Sequence, residues 1–354
     1  MLPPWLTSRV LLVVVTTAFS SARRLSPLTL WNVLDAQWYT GIAAHGYGWS
    51  LDGKPSLAFF PLYPLAIHVA GSTGRPFIAV ALLLSNVAAL AALLYLRALF
   101  SLVWGASAAR RGLWIFSLFP TAFFTFAPYS EPLFILCAAA GLYHSYRAQW
   151  LPTGLWLAAA LLTRSTAVIL LAPVLMMVLG APRRAMVLAV GPGVCALAGY
   201  LSYLLIMRLP VQQLVEAQRH WHRALTLPWN GFAASVHYLL FHFTYNAGWS
   251  AENLLQLGFT VVFLGLTLAA WRDLPPPVVL YCAAFWVVVL CTPEWLDGYF
   301  APFSSVDRFI LALFPLAGWA GARLTVSRLR VWLPLSASLM AGGAAVHLSG
   351  GWIG

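Results

Sequence analysis

Charge is what this 354-residue sequence has least of. Only 8% of its residues are Asp, Glu, Lys or Arg, against about 25% in ordinary soluble domains. Lysine occurs once, at Lys54, and the whole chain holds nine acids. So little charge cannot cover a water-facing surface, which excludes a soluble globular domain. The net charge of +11 is not a nucleic-acid footprint, because the arginines are dispersed among apolar stretches instead of forming a basic patch. Cysteine is also scarce: Cys137, Cys195, Cys282 and Cys291 all sit inside apolar blocks. None has metal-ligand spacing and none lies in a loop suited to a disulfide, so they read as small buried apolar residues. There is no HExxH, no Walker motif, no glycine-rich phosphate loop and no nucleophile elbow. Zinc hydrolases, P-loop NTPases and α/β-hydrolases are thereby set aside.

What the chain has in abundance is apolar length. Hydrophobic residues make up 61% of it, and the mean hydropathy is +0.82. The apolar residues fall in blocks such as 76–96, 185–207, 254–271 and 277–292. Blocks of about 20 residues match the ~30 Å hydrocarbon core of a bilayer. The pattern predicts an all-α polytopic membrane protein forming a single integral-membrane domain over residues 1–354, with about eleven spans. These are 10–28, 76–97, 112–127, 131–147, 151–163, 165–180, 185–207, 252–271, 277–292, 308–322 and 331–348. The fifth and sixth are short, meet at Arg164, and suit a broken or re-entrant pair. Residues 1–22, with Arg9, then VLLVVVTTAF and SSA, match a signal-peptide pattern. The many spans that follow favour an uncleaved first helix.

Orientation follows from Lys/Arg bias. With the N-terminus in the cytoplasm, the short cytoplasmic connections hold Arg9, Arg97, Arg110, Arg111, Arg147, Arg183, Arg184, Arg272, Arg323, Arg328 and Arg330. Asp273 is the only acid on that side. The opposite face carries the remaining acids and three substantial loops, 29–75, 208–251 and 293–307. Loops that long inside a compact chain are usually functional.

The candidate chemistry lies on that face. In WNVLDAQWYTGIAAHGYGW, residues 31–49, Asp35 stands among Trp31, Trp38, Tyr39, His45 and Tyr47. Leu34, Trp38 and Ile42 recur at four-residue steps, as in a short interfacial helix. Asp35 there either caps and solvates that helix or serves as a general base at the hydrocarbon edge. Glu131, in FPTAFFTFAPYSEP (119–132), suits a helix N-terminus with Ser130 as cap, which needs no catalytic role. Arg164, in LLTRSTA (161–167), is flanked by apolar runs and needs a partner. Its fork fits a phosphate or a carboxylate, and a structural ion pair with Asp35 or Glu131 is the competing reading. The segment EAQRHWHRALTLPW (216–229) carries Arg219, His220, Trp221, His222 and Arg223. Its two histidines at i, i+2 would face different sides of a helix and do not make a metal pair. Asp307 and Arg308 stand at a span entrance.

These segments match a known family in order. DAQWYTGIAAHGY (35–47), AFFPLYP (58–64), SLFPTAFFTFAPYSEPLF (117–134), LLTRSTAVILLAP (161–173), QRHWHRALTLPW (218–229) and SSVDRFILALFPL (304–316) together resemble the GPI mannosyltransferase II (PIG-V) family and its prokaryotic relatives. The resemblance covers most of the chain. It implies a GT-C-like bundle with interfacial helices in the external loops, and a polyprenyl-phosphate sugar as donor lipid. It also implies an inverting mannosyl transfer to a lipid-linked or other membrane acceptor, on the extracytoplasmic face. Family members commonly carry Trp-Asp at the catalytic acid, whereas Leu34 precedes Asp35 here, leaving Trp31 or Trp38 to supply the stacking ring. On this resemblance Asp35 is the base, and Arg164, Arg219 and Arg308 hold the donor phosphate. Trp38, Tyr39, His45, Glu131 and Trp221 line the sugar and acceptor site. The resemblance also implies catalysis with no cofactor and no dedicated metal, although Asp35 and Glu131 could hold a cation loosely. The nearly lysine-free, arginine-rich composition suggests a bacterial cell membrane, which disfavours a GPI acceptor.

Two rival readings remain. One is a transferase for another polyprenyl-phosphate sugar, or for a protein acceptor. The other is a flippase or transporter of a lipid-linked sugar, which would show paired halves with discontinuous helices. No internal repeat of that kind is visible.

Overall fold

The computed structural model describes residues 2–51, 53–210, 212–242, 247–294 and 301–351, apart from the side chains of Ala247 and Trp249. The four long apolar blocks all fold as helix. In chain order the helices are α1 (Leu2–Arg23), α2 (Pro27–Trp31), α3 (Asp35–His45), α4 (Leu62–Gly71), α5 (Phe77–Trp104), α6 (Ala106–Ser117), α7 (Glu131–Tyr146), α8 (Trp150–Leu161), α9 (Leu171–Val178) and α10 (Arg183–Ile206). They continue with α11 (Gln212–His220), α12 (Asn230–Phe241), α13 (Ala247–Ala270), α14 (Pro276–Cys291), α15 (Val306–Phe309), α16 (Phe314–Arg323) and α17 (Val326–Leu348). A two-residue antiparallel hairpin, Ser50–Leu51 with Lys54–Pro55, is the sheet structure among the described residues.

Among the described residues, five helices are long and apolar enough to cross a membrane: Leu2–Arg23, Phe77–Trp104, Arg183–Ile206, Ser250–Ala270 and Val326–Leu348. The other six predicted segments are also helical, but shorter or broken. Residues 112–127 hold the end of α6 and a 3-10 turn at Ala122–Thr125. Residues 308–322 pass from α15 through a 3-10 turn, Ile310–Leu313, into α16. The expected break at Arg164 is present. There the backbone is extended (φ −154°, ψ 146°), ending α8 and opening a 3-10 turn, Ser165–Leu170, that leads into α9.

The first span begins earlier than the hydropathy pattern suggested. Prolines 3 and 4 lie in its first turn, where a missing backbone donor is harmless, so α1 starts at Leu2 and ends at Arg23. Arg9 is therefore buried within it and does not mark a cytoplasmic end. Its Nη2 donates to the Thr125 carbonyl at 2.9 Å, and its Nη1 to the Thr125 hydroxyl at 3.2 Å.

Two apolar clusters pack the fold. The larger joins α5, α7, α8, α14 and the 3-10 turns around Phe100, Phe123, Phe124, Tyr129, Tyr281 and Phe314. Close helix approach at α6 and α16 depends on glycine: a Cβ on Gly321 would strike the Ala108 carbonyl and the Gly112 amide. The smaller cluster is built by the long first loop, with Trp38, Tyr39, Ile42, Tyr47, Phe59 and Tyr63 packed on Tyr200 and Leu204 of α10. The functional cleft opens where the two clusters meet.

Candidate active site

Each of the three long loops sends residues to one cleft. It has a volume of about 100 Å³, and its walls include Asp35, Tyr39, Phe59, Arg164, Trp221, Arg223, Glu294, Arg308 and Phe309. Local backbone geometry aims several of these side chains. Leu34 adopts φ +53° immediately before α3, His222 adopts φ +56° immediately before Arg223, and Ser305 adopts φ +68° immediately before α15. Such left-handed conformations are unfavourable for residues with a Cβ, by about 1–2 kcal/mol. Of the six such residues among the described ones, these three fall at the cleft, and strain of this kind is common at functional sites.

Asp35 begins α3 and is buried. Its Oδ2 accepts from Arg308 Nη1 at 2.6 Å. Arg308 Nε lies 3.1 Å from Glu131 Oε1, and the same Glu131 oxygen accepts from Arg164 Nη1. The result is a continuous chain of charge, Asp35–Arg308–Glu131–Arg164. The Ser130 cap expected from sequence does not form, because the Ser130 hydroxyl bonds the Tyr39 hydroxyl at 2.6 Å and receives Arg164 Nη1 at 3.4 Å. Glu131 likewise faces arginines instead of merely serving its helix end. Across the cleft, Arg223 donates to Glu294 Oε1 through Nε (3.0 Å) and Nη2 (2.5 Å). Their backbones also form an antiparallel bridge. Burial pushes the Glu294 carboxyl above its ordinary range, against the opposing pull of Arg223. Three arginines thus meet three carboxylates in direct ion pairs, with the buried Asp307 beside Arg308 as a further acid. Pairing of this kind is what allows so many charges to be buried.

A narrow apolar slot leaves the arginines between α7, α14 and the 3-10 turns. Glu131, Arg164 and Arg308 stand at its head, and Phe134, Ile135, Ile169, Phe285, Val289 and Leu311 line its walls. The lining joins these charged groups and Thr166 to hydrocarbon, but the space measures only about 20 Å³, room for about one water, so in this structure it is a closed seam between the helices.

The expected site residues divide into three groups. Asp35, Tyr39, Arg164, Trp221 and Arg308 line the cleft, and Glu131 sits at the head of the slot. Trp38 lies one layer behind, stacked on Phe59 with centroids 5.2 Å apart and edge-on to Trp221. Trp31 is in the main core, donating its indole N–H to Thr16 at 3.1 Å. The rings that face the cleft are those of Tyr39, Phe59, Phe60, Trp221 and Phe309. Arg219 and His45 are exposed and line neither space, His45 resting against Trp49. Arg223 takes the place expected of Arg219. Both lie in one basic segment, but α11 ends at His220 and the turn at His222 redirects the chain, which the residue pattern does not reveal. Glu294 and Phe309 were missed, being one acid and one aromatic among many. Among the described residues no group of three or more His, Cys, Asp or Glu could hold a metal.

A family model described as mannosyltransferase (PIG-V) matches residues 8–185, which include Asp35, Glu131 and Arg164. No curated protein matches the chain. Among solved structures, the crystal structure of ArnT from Cupriavidus metallidurans bound to undecaprenyl phosphate aligns with 95% of this chain and 76% of that one. The TM-score is 0.53 at 14% identity, a likeness of fold. It bears out the GT-C-like helical membrane architecture.

Proposed function

Because the chain belongs to the mannosyltransferase (PIG-V) family, we propose that its cleft moves mannose from a polyprenyl phosphate to a hydroxyl of a membrane acceptor, on the extracytoplasmic side of a bacterial membrane. The observation that carries this reading is the meeting of a buried carboxylate, Asp35, with Arg164, Arg223 and Arg308 in one cleft, two of whose arginines, Arg164 and Arg308, also border an apolar slot. The structure of ArnT with undecaprenyl phosphate shows that the same fold accepts a lipid of this class.

The donor's phosphate would sit among the arginines, and its polyprenyl tail would enter by parting the walls of the slot, which leave about 20 Å³ in this structure. A phosphate competes for Arg308 and Arg164 with the carboxylates that hold them, and charge-assisted bonds to phosphate favour the exchange. Once Arg308 turns to the phosphate, Asp35 is released to act. Its carboxylate takes the proton of the acceptor hydroxyl, and the acceptor oxygen forms a bond to the anomeric carbon. The bond from that carbon to the phosphate oxygen breaks with inversion. Polyprenyl phosphate leaves with the electron pair, its charge held by the arginines. Glu131 then acts as the partner that Arg164 and Arg308 keep when the phosphate departs. Tyr39, Trp221 and the rings of Phe59 and Phe60 present apolar faces to the sugar.

The test is incubation of purified protein with polyprenyl-phosphate-mannose and a panel of glycolipid acceptors, with products read by mass spectrometry. A new mannosyl linkage supports the reading. Movement of labelled lipid-sugar across vesicles without a glycosidic product would establish transport in its place. Transfer only from a different polyprenyl-phosphate sugar would keep the reaction and change the donor.

A further inference from the structure

Phe309 has neither charge nor hydrogen-bonding group in its side chain, yet its ring is shared by all three cleft arginines. The guanidinium carbons of Arg164, Arg223 and Arg308 lie 5.3, 5.0 and 5.3 Å from its centroid. Each is within cation–π range. The three arginines come from the break between α8 and α9, the turn after α11, and α15, so chain connectivity does not gather them. Among the described residues no carboxylate pairs with all three: Glu131 serves Arg164 and Arg308, Asp35 serves Arg308, and Glu294 serves Arg223. The ring is the common element.

We propose that Phe309 is a positioning residue for the phosphate of the donor, holding three arginines around one centre while leaving their N–H edges available. Contact with an aromatic ring consumes no hydrogen-bond donor, whereas contact with a carboxylate does. When a phosphate displaces Glu131 and Asp35 from the guanidinium edges, repulsion between the like charges is opposed by the ring, which stays in place. The segment carrying the ring is firmly tied. Asp307 N–H donates to Gln256 Oε1 at 3.1 Å, and Gln256 Nε2 returns a bond to Asp307 Oδ1 at 3.0 Å. The Thr121 hydroxyl donates to the Asp307 carbonyl at 2.8 Å, and Phe309 N–H to the Ser305 carbonyl at 3.0 Å. Phe309 also borders both the charged cleft and the apolar slot. It stands where the head of the lipid meets its tail.

This inference rests on the donor reading above, and binding of polyprenyl phosphate alone, which needs no acceptor and no turnover, separates the two. Dissociation constants are measured for the full chain in detergent with phenylalanine, mono-, di- and trifluorophenylalanine at position 309, together with Phe309→Trp and Phe309→Leu. Fluorine drains the negative face of the ring while nearly preserving its shape, so thermal midpoints should stay level across that series. The expected result is a stepwise loss of affinity with each fluorine, reaching at least tenfold, a comparable loss for Phe309→Leu, and a change within threefold for Phe309→Trp. A flat fluorine series, or Phe309→Trp as weak as Phe309→Leu, overturns the inference and leaves the donor reading intact. Failure of the unmodified protein to bind polyprenyl phosphate overturns the donor reading, and this inference with it. Should Phe309→Leu not fold, the fluorinated series decides alone.

Discussion

Replacing Asp35 with Asn removes a charge while almost preserving shape, and the surrounding contacts predict how its effects divide. Orphaning one partner of a buried ion pair costs roughly 3–5 kcal/mol. Here the orphan is spared: Arg308 Nε keeps Glu131 Oε1 at 3.1 Å, and an asparagine oxygen can still accept from Arg308 Nη1. The variant should therefore fold. Donor affinity should hold or improve, since Arg308 is bound less tightly to position 35 and yields to phosphate more readily. The chemical step is another matter, because an amide cannot take the acceptor's proton. A positioned general base contributes about 100- to 10,000-fold, equivalent to roughly 3–5 kcal/mol of barrier at 1.36 kcal/mol per decade. The expected outcome is a loss of kcat within that range, with the donor KM changed by no more than about threefold. Steady-state kinetics with polyprenyl-phosphate-mannose, beside equilibrium binding of polyprenyl phosphate, reads both quantities. A kcat within about tenfold of the unmodified enzyme would refute Asp35 as the base. An unchanged kcat with a large loss of donor affinity would mean that Asp35 serves the arginines alone.

Arg164→Ala should raise the dissociation constant for polyprenyl phosphate at least about tenfold, given roughly 1.5–3 kcal/mol for a hydrogen bond to a charged group. Of the two candidate arginines, one in the last turn of α11 and one just after it, Arg223→Ala should weaken the same binding and Arg219→Ala should leave it within about threefold. The reverse order would place Arg219 in the clamp. Glu294 tests the electrostatics. Its folded-state titration is raised by burial, so the folded protein holds that proton more tightly than the unfolded chain, and its contribution favours folding at acidic pH and fades as pH rises through the raised titration. The thermal midpoint of the unmodified protein minus that of Glu294→Gln should accordingly fall from pH 4.5 upward, and parallel profiles would contradict the buried carboxyl. Packing is tested by Gly321→Ala, which places a methyl against the Ala108 carbonyl and Gly112 amide and should destabilise by about 1–3 kcal/mol. The matched change Gly342→Ala meets open space and should leave the thermal midpoint unchanged or slightly higher.

How far the sequence carries depends on whether a feature is local. Apolar length and proline placement are local properties, and the membrane class, the helices and the break at Arg164 are legible from them. An ordered set of motifs sufficed to select Asp35, because a lone acid beside so many rings has few structural uses. Which arginines share a ligand with it is not local. Arg219 and Arg223 are alike in sequence and differ only because His222 turns the chain at positive φ, sending one to solvent and the other to Glu294. His45 looked equal to Tyr39 in the same short helix, yet only Tyr39 faces the cleft. Sequence alone thus determined the bilayer as solvent, the helical class and the family. Tertiary structure decided the pairing of Asp35 with Arg308, the ion pairs of three arginines with three carboxylates, and the ring of Phe309 beside all three arginines. The ion pairs among them join residues 33 to 273 positions apart, and hydrophobic periodicity carries no information about such pairings.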